Sequence, residues 1–242
     1  MRREHVELGP GQMIAYGHWG RPFLAFPAEA GRAWDYENNG MIDALADLID
    51  GGRLKLYCVD SADAYTWSDS TVSTEERARR HTDYEQWICN TVAPWVADDC
   101  GGVLEIATIG CSLGAFHAVN FTLKFAHAFP LAIGLSGSYD PSKWHGWGEP
   151  GDATYFSNPM AYVANLEGGH LDWLRSQVSI VLVVGQGAFE VSPTNALPST
   201  REFADLLARK GIRHELDVWG HDTPHDWPSW RAQLRHHLPR FC

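Results

Sequence analysis

Basic residues are scarce in this chain: 19 Lys and Arg stand against 30 Asp and Glu, a formal net charge of −11 with histidine neutral. A surface of that sign repels phosphate backbones and anionic headgroups, so nucleic acid and the membrane surface are excluded as expected partners. Long hydrophobic runs are lacking too, and no stretch approaches the ~20 consecutive apolar residues of a membrane span. The N-terminal Met1-Arg2-Arg3-Glu4-His5 is charged and passes into strand-like sequence without an apolar signal region, which makes cytoplasmic residence the expectation. Cysteine is sparse and odd in number (58, 89, 100, 111, 242), with no C-x-x-C pair. Cys58 and Cys111 lie in or beside apolar strand runs and read as small buried hydrophobes. A reactive Cys111 at a helix N-terminus is the lesser reading. Internal repeats, low-complexity tracts and linkers are also missing.

What remains is ample for a core. At 242 residues and 45% hydrophobic, the chain suits one domain of the larger α/β kind. Residues 5–8 and 13–16 read as a hairpin turning at Gly9-Pro10-Gly11-Gln12, and 23–26 as a third strand stopped by Pro27. Met41, Ile42, Leu45, Leu48 and Ile49 recur at helical spacing before Gly51-Gly52. Residues 54–59 form a nearly continuous apolar strand, as in a parallel sheet covered on both faces. Ser73 and Glu76 make a capping box for a helix running to about Val96, with Pro94 as a kink. Further strands are expected at 103–109, 131–135, 179–184 and 214–218, with helices at 112–128, 203–208 and 230–237. Strands alternating with helices imply a three-layer αβα sandwich around a mostly parallel sheet. Residues 138–176, loose and rich in Gly, Pro, Trp144 and Trp147, read as an insertion over the strand ends, with short helices near 158–166 and 171–174.

The stretch Ile109-Gly110-Cys111-Ser112-Leu113-Gly114-Ala115 organises the rest. A G-x-S-x-G match carries meaning when a strand enters it and a helix leaves it, with the serine at the apex of a strained turn. The two glycines keep that turn free of side chains that would clash with its neighbours. The Leu113 amide, first in the helix, points at any negative charge forming at Ser112.

A serine hydroxyl is a poor nucleophile until a base takes its proton and a third group orients the base. In a sheet of this kind those partners follow on loops after later strands. The loop after 179–184 holds one carboxylate, Glu190, whose plain reading is a solvated loop acid. The loop after 214–218 holds two histidines in Gly220-His221-Asp222-Thr223-Pro224-His225-Asp226-Trp227. His225, directly before the last helix, is preferred as the base, with His221 the second choice. A metal reading of His221 and His225 is poor, because Pro224 disrupts the helix that would put them on one face. A second oxyanion donor is expected in Pro27-Ala28-Glu29-Ala30-Gly31, placed at the Glu29 amide. Trp67 and Trp144 are candidate walls of a substrate pocket.

With these residues in place, the chain resembles the putative-esterase branch of the α/β-hydrolases, which includes esterase D, enterochelin esterases and the mycolyltransferase antigens. The resemblance runs from about Phe23 onward. It rests on Gly110-Cys111-Ser112-Leu113-Gly114, Leu135-Ser136-Gly137-Ser138-Tyr139-Asp140 and His225-Asp226-Trp227-Pro228-Ser229-Trp230. Val59-Asp60-Ser61 followed by Trp67 is similar to a segment of small esterase-like members. The last motif resembles the family's His-x-Trp-x-x-Trp ending and supports His225. The resemblance implies a Ser-Asp/Glu-His triad, no cofactor and hydrolysis or transfer of acyl groups on a small-molecule ester. Leu113 stands where the family often has Met, and Glu190 where Asp is commoner. An acyltransferase or thioesterase with the same triad, and a non-catalytic binding module, are the rival readings. Oligomeric state is not legible in the sequence.

Overall fold

The computed structural model describes residues 1–102 and 105–242. Its strands are β1 (Arg3–Leu8), β2 (Gly11–Tyr16), β3 (Arg21–Phe26), β4 (Leu54–Val59), β5 (Ala107–Cys111), β6 (Leu131–Leu135), β7 (Ser179–Val184) and β8 (His214–Val218). Among the described residues they form one sheet in the order β1-β2-β4-β3-β5-β6-β7-β8. β1 and β2 are the antiparallel hairpin, β2 joins β4 antiparallel, and β3 to β8 are parallel throughout. The chain leaves β3 for β4 on one side and returns for β5 on the other. The loops after β3 and β5 therefore flank the switch point of the sheet, where α/β proteins open a crevice at the strand ends.

The helices are α1 (Asp35–Asn38), α2 (Met41–Ala44), α3 (Ala46–Asp50), α4 (Thr74–Trp87), α5 (Ala93–Asp99), α6 (Leu113–Lys124), α7 (Asp152–Phe156), α8 (Pro159–Asn165), α9 (Gly168–Gln177), α10 (Ala196–Lys210) and α11 (Trp227–His237). Alternate strand residues face opposite layers. Ile14, Phe23, Leu56 and Ile109 pack on Met41, Ile49 and Leu234 of α2, α3 and α11. Met13, Leu24, Tyr57 and Val59 meet Tyr84, Ile88, Val96 and Phe121 on the other face. Val119, Ile180 and Leu182 continue that face under Leu174, Phe203 and Leu207. Three layers result, as the alternation of elements predicts.

Several boundaries differ from expectation. The strand at 103–109 is β5, Ala107–Cys111, and Val103 and Leu104 lie outside the described residues. The helix expected from Ser73 to Val96 breaks into α4, a π-helical turn at Ile88–Val92, and α5. Pro94 sits in the first turn of α5, where its missing N–H removes a bond that an unbroken helix would need. The helix after Ser112 stops at Lys124 rather than Ala128, because Phe125 leaves helical geometry at φ −130° and ψ 45°. The helix placed at 203–208 is the much longer α10, with Pro198 tolerated in its first turn. The helix read over Met41 to Ile49 is split at Leu45. In the segment between β6 and β7, α7 went unforeseen.

That segment is held down by Glu75 of α4. Its carboxylate accepts from Thr154 Oγ1 at 2.7 Å and from the amides of Gly151, Thr154 and Ala153 at 2.8, 2.9 and 3.0 Å. Burial by itself would raise the carboxyl's pKa. The donors of Thr154, Ala153 and Gly151 outweigh that effect and lower it from 4.5 to about 2. Because the folded value lies below the unfolded one, this anchor is complete above about pH 4.5 and lost as pH falls through about 2. Glu75→Gln is accordingly expected to lower Tm at neutral pH and to flatten the fall of Tm across that acid window. A Tm profile parallel to the parent's would refute the anchor.

Candidate active site

Ser112 follows β5 directly and is the N-cap residue of α6, with φ 56° and ψ −120°, a sparsely populated region for a residue with a side chain. The flanking glycines are required by contact. A Cβ on Gly110 would lie 1.9 Å from the Gly114 carbonyl oxygen, and one on Gly114 would lie 2.2 Å from that of Pro27. The strained turn thus nests against the loop after β3. Gly114→Ala is expected to destabilise the protein by about 1–3 kcal/mol through overpacking and to push that loop off the turn. Urea unfolding checks the first effect, and an unchanged midpoint would overturn it. Cys111 is fully buried, with the Tyr36 hydroxyl 3.6 Å from its Sγ. Burial pushes its thiol up to about 12, against the lowering effect of that contact, so it is a packing residue and not a nucleophile.

The loops after β7 and β8 are joined backbone to backbone. Gly187 N donates to Thr223 O at 2.9 Å, and His225 N donates to Ala188 O at 2.9 Å. Gly185 and Gly187 permit this approach: a Cβ on either would fall 2.0 Å and 2.7 Å from Thr223 or Pro224 backbone atoms. The paired loops bring Glu190 and His225 together, 35 positions apart in sequence. His225 Nδ1 lies 3.1 Å from Glu190 Oε2, and His225 Nε2 lies 2.9 Å from Ser112 Oγ. Glu190, although in a loop, is fully buried. Its other oxygen, Oε1, accepts from the Ser136 hydroxyl at 2.6 Å and the Gly185 amide at 3.3 Å. Ser136 Oγ in turn accepts from Trp230 Nε1 at 3.1 Å, and the Trp230 ring packs edge-on to His225 at 5.1 Å. Ser136 and Trp230 belong to the motifs that carried the resemblance, but no spacing rule foretold that their side chains would fix the acid.

His221 is exposed and turned away, its Nδ1 3.4 Å from Gln186 O. Both nitrogens of His225 are engaged by Ser112 and Glu190, so the two histidines do not form a metal pair. Asp217, His236 and His237 bring three ligand atoms within 4.8 Å of one another. His237 Nε2 already pairs with Asp217 at 2.9 Å, and Arg240 Nη1 lies 3.0 Å from His237 Nδ1, so both nitrogens of His237 are engaged and a cation already sits beside the group.

Ser112, Leu113, His225, Glu29, Trp67 and Trp144 all line one cavity of about 370 Å³. The amides of Leu113 and Glu29 donate to no protein acceptor among the described residues, which leaves both able to meet an oxygen bound at Ser112. Ser68 Oγ donates to Glu29 Oε1 at 2.5 Å, and Ala30 at φ 53° donates its amide to Asp63 at 3.2 Å. Trp67 meets Trp144 edge-on at 5.3 Å and Phe116 at 5.7 Å, forming an aromatic wall. Trp147 is 55% exposed and lies outside the cavity lining. Lys143, Trp144 and His145 reach the cavity from the segment after β6. Arg77 of α4 also lines it, a residue that helical spacing alone places only on a packed face.

A family model described as "Putative esterase" matches residues 30–241. Among curated proteins a sequence search finds no match. The fold is shared with a ferulic acid esterase (TM-score 0.72, 14% identity, 99% of this chain and 96% of that one). It is similarly shared with Mycobacterium tuberculosis MPT51 (TM-score 0.74, 14% identity, 99% and 97%). The Staphylococcus aureus S-formylglutathione hydrolase FrmB aligns with TM-score 0.68 at 13% identity over 99% and 95%. No helix among the described residues is long and apolar enough to cross a membrane. With the family match spanning nearly the whole chain from the loop after β3 to the last residues after α11, this protein belongs to the putative-esterase family of α/β-hydrolases and is an ester-hydrolysing enzyme.

Proposed function

We propose that the protein is a serine carboxylesterase acting on a small-molecule ester through an acyl-enzyme on Ser112. The observation that carries this reading is the hydrogen-bonded chain from Ser112 Oγ through His225 to Glu190, at 2.9 and 3.1 Å, opening on the cavity. His225 takes the serine proton as Oγ attacks the ester carbonyl, then returns it to the departing alcohol. Glu190 holds the Nδ1–H tautomer and stabilises the imidazolium. The Leu113 and Glu29 amides receive the oxyanion, each worth roughly 3 kcal/mol of transition-state stabilisation. Water then repeats the sequence on the acyl-enzyme, with His225 as its base. The segment after β6 acts as a cap, since Ser138, Lys143, Trp144 and His145 of it line the cavity.

Exposure to a fluorophosphonate tests the assignment, read by intact mass and peptide mapping. One adduct is expected, on Ser112, lost in His225→Ala and retained in His221→Ala. An adduct that survives His225→Ala would move the base elsewhere. No adduct on the folded parent protein would favour a non-catalytic binding module.

A further inference from the structure

Arg77 lies in the wall of the cavity that holds Ser112 and His225, a buried cation without a counter-charge among the described residues. It is 3% exposed. Its Nε donates to Val72 O at 3.2 Å, and its Nη1 donates to His145 O at 2.7 Å and Trp67 O at 3.4 Å. Its Nη2 has no hydrogen-bond partner among the described residues. Among the described residues no carboxylate oxygen lies within 4.0 Å of the guanidinium. Of the acids on its own helix, Glu75 caps α7, Glu76 holds Arg79 and Arg80, Glu85 holds Lys124, and Asp83 is exposed. Of the other charged groups on the cavity, Lys143 is paired with Glu202 at 2.6 Å, and the exposed Glu29 accepts from Ser68. Trp67, 5% exposed, leaves its Nε1 unpartnered as well. Two residues that line the cavity thus each bury a donor that has no partner among the described residues.

Folding alone gives little reason for a charge here. A buried ion is costly unless paired, and backbone carbonyls recover only part of the loss. Arg77 also sits in the first turns of α4, at the positive end of the helix dipole, where a cation is disfavoured. We propose that the Arg77–Trp67 wall recognises a carboxylate on the substrate, so that the enzyme acts on esters bearing an anionic group. This rests on the reading of Ser112 as the nucleophile. The guanidinium acts first through its field, which low-dielectric aromatic walls transmit far better than water does. Both unpartnered nitrogens are closed off from solvent, so direct contact requires a side chain of the wall to move.

The experiment compares esters matched in length and differing in charge. For an acyl-side anion the pair is 4-nitrophenyl monoadipate and 4-nitrophenyl hexanoate; for an alcohol-side anion it is 4-acetoxybenzoate and 4-tolyl acetate. In at least one pair the parent enzyme is expected to favour the anionic ester by about tenfold or more in kcat/KM, the scale of one charge-assisted hydrogen bond, and the preference should shrink with added salt. Arg77→Met should bring that ratio to about one, whatever fall the two esters share, while Arg77→Lys should retain part of it. A merely structural Arg77 would lower both esters equally and leave the ratio where it was, which overturns the proposal. So does a parent enzyme that turns over both neutral esters with no preference for either anion. If Arg77→Met does not fold, the parent's ratio, its salt dependence and Arg77→Lys decide the matter. Absence of any turnover and of any Ser112 adduct would instead sink the underlying esterase reading.

Discussion

Ser112→Ala is expected to lower kcat/KM for a simple ester by about 10⁴–10⁶-fold, and His225→Ala by a similar factor. On the proposed mechanism, without Oγ there is no acyl-enzyme, and without the imidazole at 2.9 Å nothing accepts the proton as the hydroxyl attacks. The two losses should not add: the double variant should be about as slow as either single one, because the residues act as a unit. The residual rate measures what the Leu113 and Glu29 amides and substrate binding still contribute. Both variants should melt close to the parent, since neither change opens a large cavity. His221→Ala should stay within a few-fold of the parent, because that ring points away from the cavity. Steady-state kinetics on purified variants with matched Tm decide the matter. A His225→Ala enzyme retaining a tenth or more of parent activity would remove that residue from the proposed mechanism.

Glu190→Gln carries the second large effect, about 10²–10⁴-fold in kcat. Glutamine matches the volume of glutamate, so the buried loop keeps its packing. The direction of its amide is dictated by neighbours. Ser136 O–H and Gly185 N–H both donate to Oε1, so the amide oxygen must take that place and the NH₂ must face His225 Nδ1. Nδ1 then has to accept, the ring proton moves to Nε2, and that nitrogen can no longer take the proton of Ser112. The wrong tautomer, rather than any loss of structure, is the cause. Fluorophosphonate labelling of Ser112 should slow in parallel while Tm changes little. Activity within tenfold of the parent would mean that another group orients His225.

Much of the architecture was legible because a parallel sheet covered on both faces leaves a plain record. The strands at 54–59, 131–135, 179–184 and 214–218 were read at their observed limits. Helices were less legible. Pro94 and Pro198 look like helix breakers, yet each occupies a first turn where proline is tolerated, and only the position of the helix start reveals that. Phe125 gives no local signal that α6 ends beside it. The Glu75 contacts that hold α7 join residues about eighty positions apart and leave no periodic trace.

The sequence by itself determined the class of the protein, the elbow at Ser112 and the short loops on which an acid and a base could lie. Those follow from local rules: period-two and period-3.6 burial, glycine where a Cβ cannot fit, and chain order along the sheet. Tertiary structure decided that His225 and not His221 faces Ser112, through backbone pairing of the loops after β7 and β8. It also decided that Ser136 and Trp230 lock Glu190, and that Arg77 is left without a counter-charge in the cavity wall. Each of these depends on the direction of a side chain across distant elements, which hydrogen-bond geometry and packing settle and residue order does not encode locally.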